Sequence, residues 1–221
     1  MKRNGEHDQK KEARNRRIIL KGIGSYISIL AVLVLLSGCG ETAKIIATKT
    51  QGQKSDIFAE VVDGTAVPAG YGDVMISASI KTHLEDFYIG ESKASAHGKA
   101  AYPFVFNIDG QAVVWKTEGK EDELPKYDAD GKTSQDPEAG TGMKYVLNKK
   151  IRLRAGSHRF FFGLPEENYY REFVVFVKDG ETHTLNFKPH YSSKTIPTRI
   201  PTFLKGMSYY DILFDGQMVK S

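Results

Sequence analysis

The sequence predicts an all-β protein built as an antiparallel β-sandwich, and three observations predict it. Apolar residues recur at every second position in many short segments, the period of a half-buried strand. Turn dipeptides, Asp-Gly above all, separate those segments. After residue 38 no stretch keeps a 3.6-residue period over three turns, which argues against a helical body.

The alternation begins near Ile57. Val74, Ile76, Ala78 and Ile80 are expected to face a core, with Met75, Ser77, Ser79 and Lys81 opposite. Phe104, Phe106 and Ile108 repeat the pattern, and Val113 with Trp115 follow a turn. Ile151 and Leu153 read as inward, Arg152 and Arg154 as outward. Beyond Ala155-Gly156-Ser157 come His158 to Phe162, then Phe173, Val175 and Val177. That last strand is expected to pair through Lys178-Asp179-Gly180-Glu181 with Thr182 to Phe187. Tyr209 to Phe214 and Met218-Val219 close a domain of nine or ten strands over residues 56–221. An apolar residue followed by Asp-Gly and, two residues on, valine occurs at 62–67, 108–113 and 214–219. Each copy marks a hairpin, and their spacings of 46 and 106 residues fit no regular repeat. Residues 117–148 break the pattern with Glu118, Glu121, Asp122, Glu123, Asp128, Asp130, Asp136 and Glu138, and read as a long acidic excursion from one hairpin.

At the other end, Lys2, Arg3, Lys10, Lys11, Arg14, Arg16, Arg17 and Lys21 precede an apolar run of about ten residues that ends in Leu36-Ser37-Gly38-Cys39. The run is shorter than the roughly twenty residues of a spanning helix. The ending resembles the lipobox of bacterial lipoproteins. That resemblance implies a signal peptide over residues 1–38, cleavage between Gly38 and Cys39, and diacylglycerol on the Cys39 sulfur. At about 0.8 kcal/mol per buried methylene, two or three acyl chains make a stable anchor. Residues 39–55 read as a flexible tether between lipid and domain, and Gly40 after the cysteine favours the outer membrane.

Composition bounds the function. The formal charge of +4 is a property of the leader: of 31 Lys/Arg and 27 Asp/Glu, eight and three lie in residues 1–38, leaving 23 against 24. A near-neutral mature chain argues against nucleic acid as a partner. With one cysteine in the whole sequence, no intrachain disulfide is possible.

The segment Leu153-Arg154-Ala155-Gly156-Ser157-His158, then Leu164-Pro165-Glu166-Glu167-Asn168-Tyr169-Tyr170, then Lys178-Asp179-Gly180-Glu181-Thr182 resembles the strand and turn order of a PEGA-type module over residues 102–188, without the Pro-Glu-Gly-Ala itself. The resemblance implies a small, Ig-like β-sandwich of the cell envelope with a non-catalytic interaction role.

Chemical motifs are few. None of His83, His97, His158, His183 and His190 stands at a metal-ligand spacing from another, and the histidines of the strands, His158 and His183, read as surface residues. Asp128-Ala129-Asp130-Gly131 matches the opening of a calcium loop but lacks its remaining ligands. Neither a nucleophile elbow nor a phosphate loop is present, so no catalytic residue, metal or cofactor is expected. The candidate interaction surface is Arg152, Arg154 and Arg159 with the doublet Tyr169-Tyr170. Two functions follow: a membrane-anchored interaction module meeting an envelope protein or glycan, or a lipid-tethered enzyme or ligand binder working through an acidic cleft.

Overall fold

The computed structural model describes residues 38–62, 64–127, 129–193 and 201–220. Residues 1–37 of the expected signal segment 1–38, and Asp63 and Asp128 of two of the motifs, lie outside them. The chain divides into two units, 1–44 and 45–221.

Among the described residues, one helix, α1 (Gly38–Lys49), precedes ten strands: β1 (Phe58–Glu60), β2 (Tyr71–Thr82), β3 (Ala101–Ile108), β4 (Gln111–Leu124), β5 (Gly140–Arg154), β6 (Gly156–Leu164), β7 (Tyr169–Val177), β8 (Thr182–Ser193), β9 (Lys205–Phe214) and β10 (Gln217–Met218). The all-β class therefore holds. Hydrogen bonding runs without a break through the order β10-β9-β8-β2-β5-β4-β3-β6-β7, with β1 added on β5. The sheet is mixed, because β2 and β8 run parallel. It curls so that aromatic side chains from both ends of this order meet: Phe162 of β6 lies 4.2 Å from Phe187 of β8 and 5.3 Å from Tyr210 of β9.

The alternation reads true where it buries apolar groups. Val74, Ile76, Ala78, Ile80, Phe104, Phe106, Ile108, Ile151, Leu153, Phe173, Val175 and Val177 all lie in one core. Both described Asp-Gly-Gln turns take the expected positive φ pair, Asp109 with Gly110 and Asp215 with Gly216.

Five expectations are corrected. The flexible tether is partly a helix. Glu41 in its first turn and Lys49 in its last suit the helix dipole, and Ile46 is buried against Val105 and Phe161. The amide N–H groups of Gln53 and Lys54 then donate to the Gly110 carbonyl, so the chain is tied down before β1 begins.

The acidic excursion is mostly strand. Residues 111–118 of β4 pair with β3, and from Gly119 the same strand pairs with β5 as far as Leu124 opposite Gly140. Glu118, Glu121 and Glu123 sit on exposed positions of β4, Asp122 is half-buried, and only residues 125–139 connect β4 to β5.

Strands β7 and β8 do not form a hairpin, since β7 pairs with β6 while β8 lies between β2 and β9. The turn between them crosses the start of β2. There the Gly180 N–H donates to the Tyr71 carbonyl and the Asp73 N–H to that of Glu181. Gly72 permits the crossing, because a Cβ at that position would stand 2.6 Å from the Lys178 carbonyl oxygen. Gly72→Ala is expected to cost about 1–3 kcal/mol by overpacking, read as a lower urea midpoint; an unchanged midpoint would show that the crossing is loose.

Lys81, placed outward by alternation, is 1% exposed. Its Nζ donates to the Asp122 carboxylate at 2.7 Å and lies over the Phe203 ring. Burial of this cation is possible because the acidic β4 supplies its counter-charge. Finally, His158 and His183 are buried rather than on the surface.

Candidate functional site

Each buried strand histidine is held by the aspartate of an Asp-Gly turn. His158 Nδ1 meets Asp109 Oδ2 at 2.7 Å, while the Arg159 amide donates to Oδ1 of the same carboxylate. His183 Nδ1 meets Asp215 Oδ2 at 2.6 Å, while the Thr184 amide donates to Oδ1. In both places the aspartate amide returns a hydrogen bond to the carbonyl of the residue after the histidine. The two Asp-Gly-Gln motifs thus build one local unit twice. These histidines lock hairpins to neighbouring strands, with their nitrogens already engaged.

The remaining histidines of the loop side gather differently. His83 follows the end of β2, His97 lies in the loop leading to β3, and Glu91 lies between them in sequence. One ligand atom from each lies within 4.8 Å of the others. His83 Nε2 is 3.4 Å from one Glu91 oxygen and His97 Nδ1 is 2.9 Å from the other. The far nitrogens are engaged behind them: His83 Nδ1 with the Leu84 carbonyl at 2.8 Å, His97 Nε2 with Glu167 at 2.8 Å. Glu167 comes from the β6–β7 turn and also accepts from the Tyr102 hydroxyl at 3.0 Å. Burial pushes the His97 imidazole down, but Glu167 and Glu91 outweigh it and hold its pKa above the ordinary histidine value. A cavity of about 270 Å³, lined in part by Lys81, His83, Tyr88, Lys205 and Met207, opens on one side of this cluster. A second of similar size, lined by Glu85, Ser92 and Lys99 among others, opens on another. Sequence spacing hid this group, because its members are fourteen and seventy residues apart.

The expected interaction residues scatter. Arg152 of β5 points its guanidinium at the buried Asp73, with Nε 2.7 Å from Oδ1 and Nη2 3.0 Å from Oδ2. Arg154 lies over the Tyr71 ring. Arg159 sits on β6, across the curl of the sheet from both, and lines a cavity of about 680 Å³ with Lys49, Asp109, Phe161 and Val174. Tyr169 is half-buried, packs toward Phe162 and Tyr210 and accepts from the Tyr210 amide at 3.2 Å. Tyr170 stacks on Phe161. Arg159 and Tyr170 therefore border the same outer face of β6 and β7, whereas Arg152 and Arg154 do not.

What sequence reasoning missed is the edge beside that face. Strand β7 ends the hydrogen-bonded order, so among the described residues nothing pairs with its outer side. Along it Val174 and Phe176 are 54% and 62% exposed. Folded proteins usually blunt such edges with charges, proline or a bulge. The apolar residues at 174 and 176 were legible as alternation, but a strand end carries no mark of being an edge.

Among the described residues, no helix is long and apolar enough to cross a membrane. In comparisons with known proteins the chain matches no family model, no curated protein and no solved structure.

Proposed function

We propose that the chain is a lipid-anchored envelope protein whose β-body acts by binding another protein strand along the edge of β7, rather than by catalysis. The lipobox resemblance at Leu36-Ser37-Gly38-Cys39 supports the anchor. The observation that carries the binding role is the nine-residue edge strand with Val174 and Phe176 exposed on it. An extended segment of an envelope protein added there gains main-chain hydrogen bonds from the open edge, and the two apolar side chains select its facing residues. Tyr170, Phe161 and Arg159 continue that surface inward, so the partner meets an apolar strip with the cations of Arg159 and Lys49 beside it. The PEGA-type resemblance, with its non-catalytic sandwich modules, points the same way.

The cluster of His83, Glu91 and His97 between two cavities favours a second reading, a tethered ligand binder. The readings separate in one experiment. A photocrosslinker at Glu172, exposed on the same face of β7, should capture an envelope protein in intact cells, and Val174→Asp with Phe176→Asp should abolish capture while shifting stability by less than about 0.5 kcal/mol. Capture that survives both substitutions would move the interface elsewhere. For the anchor, Cys39→Ala should end fatty-acid labelling and leave the precursor uncut; normal cleavage in that variant would remove the lipoprotein assignment.

A further inference from the structure

We propose that His83, Glu91 and His97 form a zinc-binding site, with Glu167 positioning His97 from behind. The site is separate from the β7 edge and does not depend on the anchor.

The first support is separation. Four ligands at about 2.0–2.1 Å around a tetrahedral zinc lie roughly 3.3 Å from one another. His83 Nε2 stands 3.4 Å from Glu91 Oε2, and His97 Nδ1 2.9 Å from Glu91 Oε1, so the carboxylate already bridges the two imidazoles at nearly that spacing. The imidazoles need only small adjustments about a common centre, since one ligand atom from each residue already lies within 4.8 Å of the others.

The second support is proton placement. A carbonyl can only accept, so the contact of His83 Nδ1 with the Leu84 oxygen puts the proton on Nδ1 and leaves the Nε2 lone pair facing Glu91. The Glu167 carboxylate accepts from His97 Nε2, which in the neutral ring leaves the Nδ1 lone pair facing Glu91 as well. With His97 neutral, two lone pairs and a carboxylate converge on one point, where their repulsion is relieved by a proton on His97 Nδ1 or, in its place, by a cation. A carboxylate behind a ligating histidine is also the usual outer arrangement of a zinc site, where it fixes the tautomer and ring plane.

The third support is pre-organisation. The rings of His83 and His97 meet edge to face at 5.1 Å, and Tyr88 packs edge-on to His83 at 4.8 Å. Ser95 donates to Glu91 Oε1 at 2.8 Å. The Gly98 amide donates to Thr82 Oγ1, and the buried Tyr145 hydroxyl donates to the Lys99 carbonyl at 2.7 Å, closing the loop onto the sheet. Three protein ligands leave a fourth position for water or a small anion, and all three line the cavity shared with Lys205 and Met207. The ligand set of two imidazoles and one carboxylate selects a first-row divalent ion over calcium or magnesium, which take oxygen ligands.

The test uses the full chain in detergent, carrying Cys39→Ala so that the only thiol cannot compete. Calorimetric titration with zinc should show one saturable site, and cobalt(II) should give the visible absorption of a low-coordinate imidazole complex. His83→Ala and His97→Ala should each weaken zinc binding by more than ~100-fold, and Glu167→Gln by about 10–100-fold. His190→Ala, whose ring pairs with Asp211 on β9, should leave it unchanged. Should His97→Ala fail to fold, His83→Gln with the cobalt spectrum decides instead. Absence of saturable binding, or binding equal in the wild-type chain and the His83 variants, would overturn the proposal and leave His97 as an ion-paired strut between Glu91 and Glu167.

Discussion

Phe162→Ala should lower the stability of the β-body by about 3–5 kcal/mol. Phe162 is fully buried and its ring lies within 6.5 Å of those of Phe104, Phe106, Tyr169, Phe187 and Tyr210. These neighbours belong to β3, β7, β8 and β9, so truncation opens a void where the ends of the curled sheet meet. The walls are aromatic rings packed on one another, and Tyr210 is fixed through its hydroxyl to the Ser79 carbonyl at 2.7 Å, so they collapse only partly into the gap. Urea denaturation should show a lower midpoint with an unchanged slope. Phe176→Ala on the open edge should move it by less than about 0.5 kcal/mol. A cost below about 1 kcal/mol at Phe162 would mean that the two ends of the sheet are not packed face to face.

Asp73→Asn should cost about 3 kcal/mol near neutral pH. The Asp73 carboxylate is wholly buried, accepts two bonds from Arg152 and lies 3.3 Å from Lys150. Bonding from Arg152 holds its pKa below the ordinary carboxylate value; burial opposes that, and Lys150 reinforces it. The sign follows. A depressed carboxylate contributes stability that is complete above the unfolded-state value near 3.9 and is lost as pH falls through the lower folded value. The wild-type chain should therefore lose stability steeply below about pH 4, whereas Asp73→Asn should be weaker at neutral pH and flatter in that acid window. Parallel acid profiles for the two would show that Asp73 carries no proton-linked share of the fold.

Much of this fold was legible. Period two at Val74 to Ile80 and at Phe104 to Ile108 marked buried faces because one side of each strand meets only apolar rings. The Asp-Gly turns were legible because few residues other than glycine tolerate the positive φ they need. Three things were not. The turn at Lys178 to Glu181 reads like any hairpin, and nothing local tells a turn that returns to its neighbour from one that crosses to another strand. Residues 117–124 read as loop because their composition is acidic and their alternation changes phase: the less exposed positions are Thr117 and Gly119, then Asp122 and Leu124. At the site, Arg159 and Tyr170 fall on one surface, while Arg152 is bound to Asp73. His83, Glu91, His97 and Glu167 have no periodic spacing, since a loop and a distant turn bring them together. The one available hint was two histidines and a glutamate in a segment with no strand pattern.

The parallel pairing of β2 with β8 joins Asp73 to Thr182 and Ala78 to Phe187. Strand β2 thus waits for a neighbour more than a hundred residues downstream, and no shorter fragment can seal that side of it. Domains dominated by such distant pairings acquire their native form slowly. A nascent chain of this kind stays loose until nearly all of it has been made, the condition in which a polypeptide can still be threaded through a narrow translocation pore.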